Sequence, residues 1–341
     1  MRFLLIKRYK FQCYIALLLF VLSISIPLAI SFGVITLSLQ DVLLSMKQHF
    51  FNTHTGLLSS MHDNIIWHLR FPRVIMAAIA GSGLALTGLI LQVATQNPLA
   101  EPHLFGVSSG AVLGAVITTM HPQWFPYISL PLMAFLGAMV GALAIYSLMV
   151  KKPWMKAYHL LMSGVAISFI LMSASNLVLY LGDFRVSHQV IFWMLGGLGL
   201  IPVHFLWVPL LFCSLCFIFV WCKKQHMNAM LLGDETAHSL GVNVKRFRLQ
   251  LFIVSALITS VIVSFTGMIG FIGLMMPHIG RYFVGGNIKK LIPVVALIGA
   301  IFLIWVDVLS RTLMAYEEIP VGIITAFVGG IFFIILLIKS D

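Results

Sequence analysis

Ten runs of roughly 20 predominantly apolar residues follow one another along the chain, and no fold in water can bury them all. They fall at about 11–32, 73–96, 104–121, 128–150, 159–181, 190–221, 248–266, 268–285, 291–313 and 320–338. In hydrocarbon the backbone N–H and C=O groups have no water to bond, so a run of this length satisfies them internally as a helix. Only 9% of the 341 residues are charged, against about 25% in a soluble domain. The expected fold is all-α and integral to a membrane, with ten transmembrane helices forming a single permease domain over 1–341. The run at 190–221 exceeds one span and leaves room for a short surface helix at its start. The run at 268–285 is the most broken, with Gly267, Gly270, Gly273 and Pro277 in or beside it. Arg2, Lys7, Arg8 and Lys10 precede the first run as they would in a signal peptide. That run is longer than the roughly 7–15 apolar residues of a signal and has no small-x-small cleavage site, so it reads as a retained helix.

The basic residues orient the bundle. With the N-terminus inside and the spans alternating, 16 of the 21 Lys and Arg residues fall in inner segments and 5 in outer ones. This asymmetry satisfies the positive-inside rule for an even number of spans with both termini cytoplasmic. The same location removes nucleic acid as the reason for the formal charge of +11, because the basic residues sit between apolar runs and form no basic face with interleaved aromatics.

Small residues recur at helical spacing: Gly106, Gly110 and Gly114; Gly137 and Gly141; Ala77, Gly81 and Ala85. Lipid tails are as apolar as leucine, so membrane helices associate through close backbone packing at such stripes. Cys213 and Cys216 form a C-x-x-C inside an apolar run with no second pair, which reads as packing rather than redox or metal chemistry.

Candidate functional residues lie at the helix ends. No ionisable group stands at the centre of a run, where a proton- or sodium-coupled carrier usually needs one. Asp307 and Arg311 are four apart and suited to an ion pair, near the outer end of their run. Arg70-Phe-Pro-Arg73 opens the second run on the outside, so that Arg70, Arg73 and Arg311 make a cationic rim. Snorkelling at the interface accounts for such a rim and is the simpler reading; docking of an acidic partner is the functional one. On the inside, the loop 222–247 contains Leu232-Gly-Asp-Glu-Thr-Ala-His-Ser-Leu-Gly-Val242, which reads as a short amphipathic helix capped at Gly241. Its early acidic residues disfavour anionic lipid and favour a protein groove. The hairpin Asn97-Pro-Leu-Ala-Glu-Pro102 is given no chemistry, and His49, His54, His62 and His68 read as solvated loop side chains. The chain has no G-x-x-x-x-G-K-[ST] loop and no nucleophile–base pair, so neither ATP hydrolysis nor another enzymatic activity is expected in it.

Four blocks give the chain a resemblance to a known family. They are Arg70-Phe-Pro-Arg73 with Gln96-Asn-Pro-Leu-Ala-Glu-Pro102 and Leu104-Phe-Gly-Val-Ser-Ser-Gly110; Leu232 to Val242; Gly267-Met-Ile-Gly-Phe-Ile-Gly-Leu-Met-Met-Pro-His-Ile-Gly-Arg281; and Glu318-Ile-Pro-Val-Gly-Ile-Ile-Thr325. In order and spacing these resemble the FecCD family of ABC importer permeases, which serves cobalamin, ferric siderophores and haem. The resemblance implies a type II importer bundle in the bacterial inner membrane, working as a homodimer or with a close paralogue. Two cytosolic ATPase subunits would use ATP and Mg, this chain holding no cofactor or metal of its own. A periplasmic or lipid-anchored binding protein would dock outside, pairing its glutamates with Arg70, Arg73 and Arg311. Gly233, Asp234, Glu235, Ala237 and Gly241 would form the coupling helix on the ATPase. The cytoplasmic gate would fall near Ala157 and Tyr158, although these depart from the small, hydroxylated residues of the family pattern. The cargo implied is an iron complex, read as a ferric siderophore, with cobalamin or haem as alternatives; a lone ion-coupled secondary carrier is the rival from another class.

Overall fold

In the computed structural model, which describes residues 2–51, 59–151, 157–199, 201–314 and 317–339, the apolar runs become helices wherever no glycine or proline interrupts them. Helix α1 (Arg2–Ser31) crosses first, followed on the outer side by α2 (Leu39–Phe51) and α3 (Ser60–Asn64). A π-helical turn over Ile65–Arg70 leads into α4 (Phe71–Thr95), and α5 (Val107–Met120), α6 (Leu130–Lys151) and α7 (Ala157–Leu181) follow. Then come α8 (Phe184–Met194), α9 (Trp207–Met230), α10 (Asp234–Ser239), α11 (Val244–Thr266), α12 (Ile272–Val284), α13 (Ile288–Thr312) and α14 (Val321–Lys339). The described residues contain no strand.

Eight of these helices are long and apolar enough to cross a bilayer: α1, α4, α6, α7, α9, α11, α13 and α14. The other two apolar runs yield short helices. At 1.5 Å per residue, α5 (14 residues) and α12 (13 residues) are each about 20 Å long, against a hydrocarbon core of about 30 Å. The expected spans at 104–121 and 268–285 are therefore discontinuous. Pro102 and Gly106, the latter at φ 70°, delay the start of α5, while Gly267 and Phe271, at φ 65° and 68°, hold the chain out of helix ahead of α12. The run at 190–221 also divides. α8 ends at Met194, Gly196 turns at φ 77°, and α9 starts only at Trp207 and continues to Met230, well past the expected inner end.

Helix α4 is the axis of the bundle. It is buried on nearly all sides and packs against α13, α11, α12 and α9. α7 and α14, in contrast, leave most of their apolar surface uncovered. The small-residue stripes do the packing expected of them. Gly110 and Gly114 of α5 face Gly137 and Met133 of α6, and a Cβ at any of the three glycines would overlap a backbone carbonyl of the other helix. Gly81 of α4 meets Gly299 of α13 in the same way. Cys213 and Cys216 are free and buried, Cys213 lying 3.6 Å from the carbonyl of Ile79.

Outside, α2 and α3 are pinned together by side chains. The Asp63 carboxylate accepts from Ser45 Oγ at 2.5 Å and pairs with His49 Nε2 at 3.0 Å, while Asp41 pairs with His62 Nδ1 at 3.2 Å. His49 also stacks on Trp67 with ring centres 4.2 Å apart. Two of the four histidines expected to be solvated are thus engaged; His68 is exposed and His54 lies outside the described residues.

Candidate docking rim and coupling surface

Helix α1 ends at Ser31 with carbonyls that no later N–H in the helix can satisfy. Two of the rim arginines supply the missing donors. Arg70 Nη1 donates to the carbonyls of Ile30 (2.9 Å) and Ser31 (3.1 Å), and its Nη2 donates to Ile35. Arg311 donates from Nη2 to Ala29 (3.1 Å) and from Nη1 to Phe32 (3.0 Å). Cations at this end also suit the negative pole of the helix. Both arginines are buried.

Arg73, at the start of α4, has a different set of partners. Its Nε donates to Asp307 Oδ1 at 2.6 Å, and its Nη1 reaches both carboxylate oxygens of Glu318 at 2.9 and 2.7 Å. Asp307 is fully buried and lies between two guanidiniums. Its Oδ2 is 2.9 Å from Arg311 Nη2, near enough for charge pairing but off the line of an N–H bond. The expected Asp307–Arg311 pair is present, and Arg73 makes it a triad. Arg70, Arg73, Arg311 and Glu318 line an outer cavity of about 370 Å³, together with Gly33, Val34 and Leu69. The structure thus brings the three arginines to one site, Arg70 holding backbone, Arg73 holding carboxylates and Arg311 doing both.

At the inner end of α4, Gln96 adopts a left-handed conformation (φ 51°) that stops the helix. Its Nε2 donates to Met230 O (3.0 Å) and to Asp234 Oδ1 (2.9 Å). Arg248 Nη2 holds both Asp234 oxygens at 2.8 Å, and its Nε donates to Ala94 O at 2.8 Å. Asp234 is the first residue of α10, so this lock fastens α10 to the end of α4. Gly233 (φ 104°) and Gly241 (φ 83°) bracket α10 with turns that glycine adopts without strain. An amphipathic helix over this segment would put Leu232, Leu240 and Val242 on its apolar side. In the fold, Ala237 and Val242 are buried while Leu232 and Leu240 are exposed, flanking Glu235 on the cytoplasmic face. Two leucines and a carboxylate of this segment are thus left uncovered. At the expected gate, Ala157 opens α7 and Tyr158 is exposed; the side chain of Ala157 lies outside the described residues.

Four residues of the two sites went unassigned in the sequence: Gln96, Arg248 and Glu318, described above, and Glu101. Glu101, in the hairpin given no chemistry, is buried and accepts the backbone N–H of Phe271 ahead of α12. Gly88 of α4 packs against Gly273, which places the start of α12 about 10 Å up from the inner end of α4. At such depth irregular backbone must find partners within the protein. Glu101 is one, and Ser168 is another, accepting from Gly106 N at 2.9 Å and donating to His103 O at 3.3 Å. For Glu101 the only sequence cue was an acidic residue between two prolines.

The chain belongs to the FecCD transport family, whose model matches residues 18–339. It is 36% identical over 294 residues to the hemin transport system permease protein HmuU of Yersinia pestis, covering 82% of this chain and 85% of that one. It is 36% identical over 273 residues to the cobalamin import system permease protein BtuC of Halobacterium salinarum, covering 80% and 73% respectively. A solved structure described as an inward-facing conformation of a transporter of the metal-chelate ABC type superposes with a TM-score of 0.83 at 26% identity, covering 96% of this chain and 99% of the other. The protein is a multi-pass membrane permease of the ABC importer class.

Proposed function

We propose that this permease carries an iron complex, of the ferric siderophore type, inward across the cytoplasmic membrane as part of an ABC importer. Two permease subunits would enclose the pathway, two cytosolic ATPases would seat on α10, and a binding protein would deliver cargo to the rim formed by Arg70, Arg73 and Arg311. The observation that carries this reading is the lock of Gln96, Asp234 and Arg248, which ties α10 to the inner ends of α4 and α11 and leaves Leu232, Glu235 and Leu240 uncovered to meet a partner. ATP-driven closure of the ATPases would move α10, and α4 would carry that motion toward the outer face. Haem and cobalamin, the cargoes of the two permeases to which the chain is 36% identical, are the alternatives.

Affinity purification from mild detergent tests the assembly. The tagged permease is expected to bring down an ATPase subunit and a second permease copy. Glu235→Arg, which changes an exposed residue and none of the lock, is expected to lose the ATPase while keeping the permease pair. Recovery of the permease with no ATPase in several detergents would return the reading to a lone secondary carrier. Uptake of radiolabelled iron tests the cargo. In cells lacking the permease gene, restoring it is expected to restore uptake of a ferric siderophore and to leave haem and cobalamin uptake unchanged. Restoration of either of those instead would reassign the cargo.

A further inference from the structure

The three rim arginines differ in what would have to be broken for a partner to reach them. Arg70 and Arg311 hold the carbonyls that end α1, and these cannot leave without unwinding the helix. Arg73 Nε is held by Asp307, which is fully buried and fixed. Arg73 Nη1 is held by Glu318, whose side chain is 55% exposed. Among the described residues Glu318 is the one acceptor on this cluster that can swing away into solvent. Its backbone, in contrast, is secured one residue on, where Ile319 and Ser310 exchange hydrogen bonds of 2.6 and 3.1 Å. The cavity of about 370 Å³ in front of it leaves room for that swing.

We propose that Glu318 is an internal occupant of the docking subsite, sitting on Arg73 where an incoming carboxylate of the binding protein would sit, and that docking proceeds by displacement of one carboxylate by the other. This rests on the docking reading of the rim given above. The exchange conserves the ion pair on Arg73, so an acidic partner gains entry where a neutral one would leave a guanidinium uncovered. It also changes the charge of the cluster. Three guanidiniums against Asp307 and Glu318 leave +1; with Glu318 displaced the cluster presents +2 to the partner. The preferred partner surface is a carboxylate on a projecting side chain, long enough to enter the cavity.

Glu317 supplies the control. It is exposed, adjacent and of the same charge, and it forms no ion pair among the described residues. The permease–ATPase complex in lipid nanodiscs would be compared as wild type, Glu318→Gln, Glu318→Ala and Glu317→Gln. Two probes would be used: phenylglyoxal labelling of Arg73 read by mass spectrometry, and association of the binding protein recovered with the complex. Both Glu318 variants are expected to raise Arg73 labelling and to tighten association about fivefold at low salt, the scale of one exposed ion pair removed from competition. Glu317→Gln is expected to change neither. Unchanged or weaker association in the Glu318 variants, or an equal gain in Glu317→Gln, would overturn the displacement. An Arg73 that stays unlabelled without Glu318 would do so too, because Asp307 would then be its shield. Arg73→Gln separates this from the parent reading: if that variant binds the partner as wild type does, the rim is no docking site at all.

Discussion

Replacing Asp307 by alanine is expected to destabilise the folded permease by about 3–5 kcal/mol, the cost of stranding a buried charge whose partner has been removed. The carboxylate is fully buried and lies within 2.6 Å of Arg73 and 2.9 Å of Arg311. Without it, two guanidiniums remain with no buried counter-ion, one of them still committed to the end of α1. Asp307→Asn keeps the shape and some hydrogen bonding and should lose less. The double variant Asp307→Leu with Arg311→Met removes a charge of each sign, and its loss should fall well short of the sum of the two single changes, as coupled neighbours require. Thermal aggregation of wild type, Asp307→Ala, Asp307→Asn, Asp307→Leu, Arg311→Met and the double variant in one detergent would measure this. A loss in Asp307→Ala below about 1 kcal/mol would mean that water, rather than this triad, balances the arginines.

Gly88→Ala is the second large effect expected. A single methyl group at Gly88 would overlap the backbone of Gly273 at the start of α12, where there is no flexible side chain to give way. The clash falls on the same stretch whose N–H is held by Glu101, so relief of one contact breaks the other. Overpacking of this kind costs about 1–3 kcal/mol or more. Gly330→Ala is the matched control, because that position is helical and has open space around it. Wild-type yield of monodisperse protein from Gly88→Ala would show that α12 can shift, and that its position beside α4 is not fixed by this contact.

The parts of this fold legible in the sequence are those with a local or periodic signal. Long apolar runs gave eight spans directly, and the glycine stripes of α5 and α6 marked the faces that meet. The discontinuous helices were less legible, because hydropathy averages over Gly267–Phe271 and over Pro102–Gly106 without registering that the chain leaves helical geometry there. The excess length of 190–221 did signal a short helix ahead of the span, whereas the position of the gap between α8 and α9 was not legible. The reason Arg70 is buried could not be read, since its acceptors are backbone carbonyls of Ile30, Ser31 and Ile35, which any residue carries. Glu101 was missed because its partner is 170 residues away. The pairing of Asp307 with Arg311 was readable at four residues' spacing, whereas Arg73 and Glu318 needed the fold to bring them together.

Arg73 stands in the first turn of α4 and Gln96 caps its other end, about 35 Å away at 1.5 Å of rise per residue. Linkage makes such an arrangement symmetrical. If an occupant of the outer rim binds one tilt of α4 better than another, then a nucleotide-driven change at α10 must alter that occupant's affinity by the same factor, and the occupant must bias the nucleotide cycle in return. The permease would then sense from outside whether cargo has arrived, with no chemical messenger crossing the membrane.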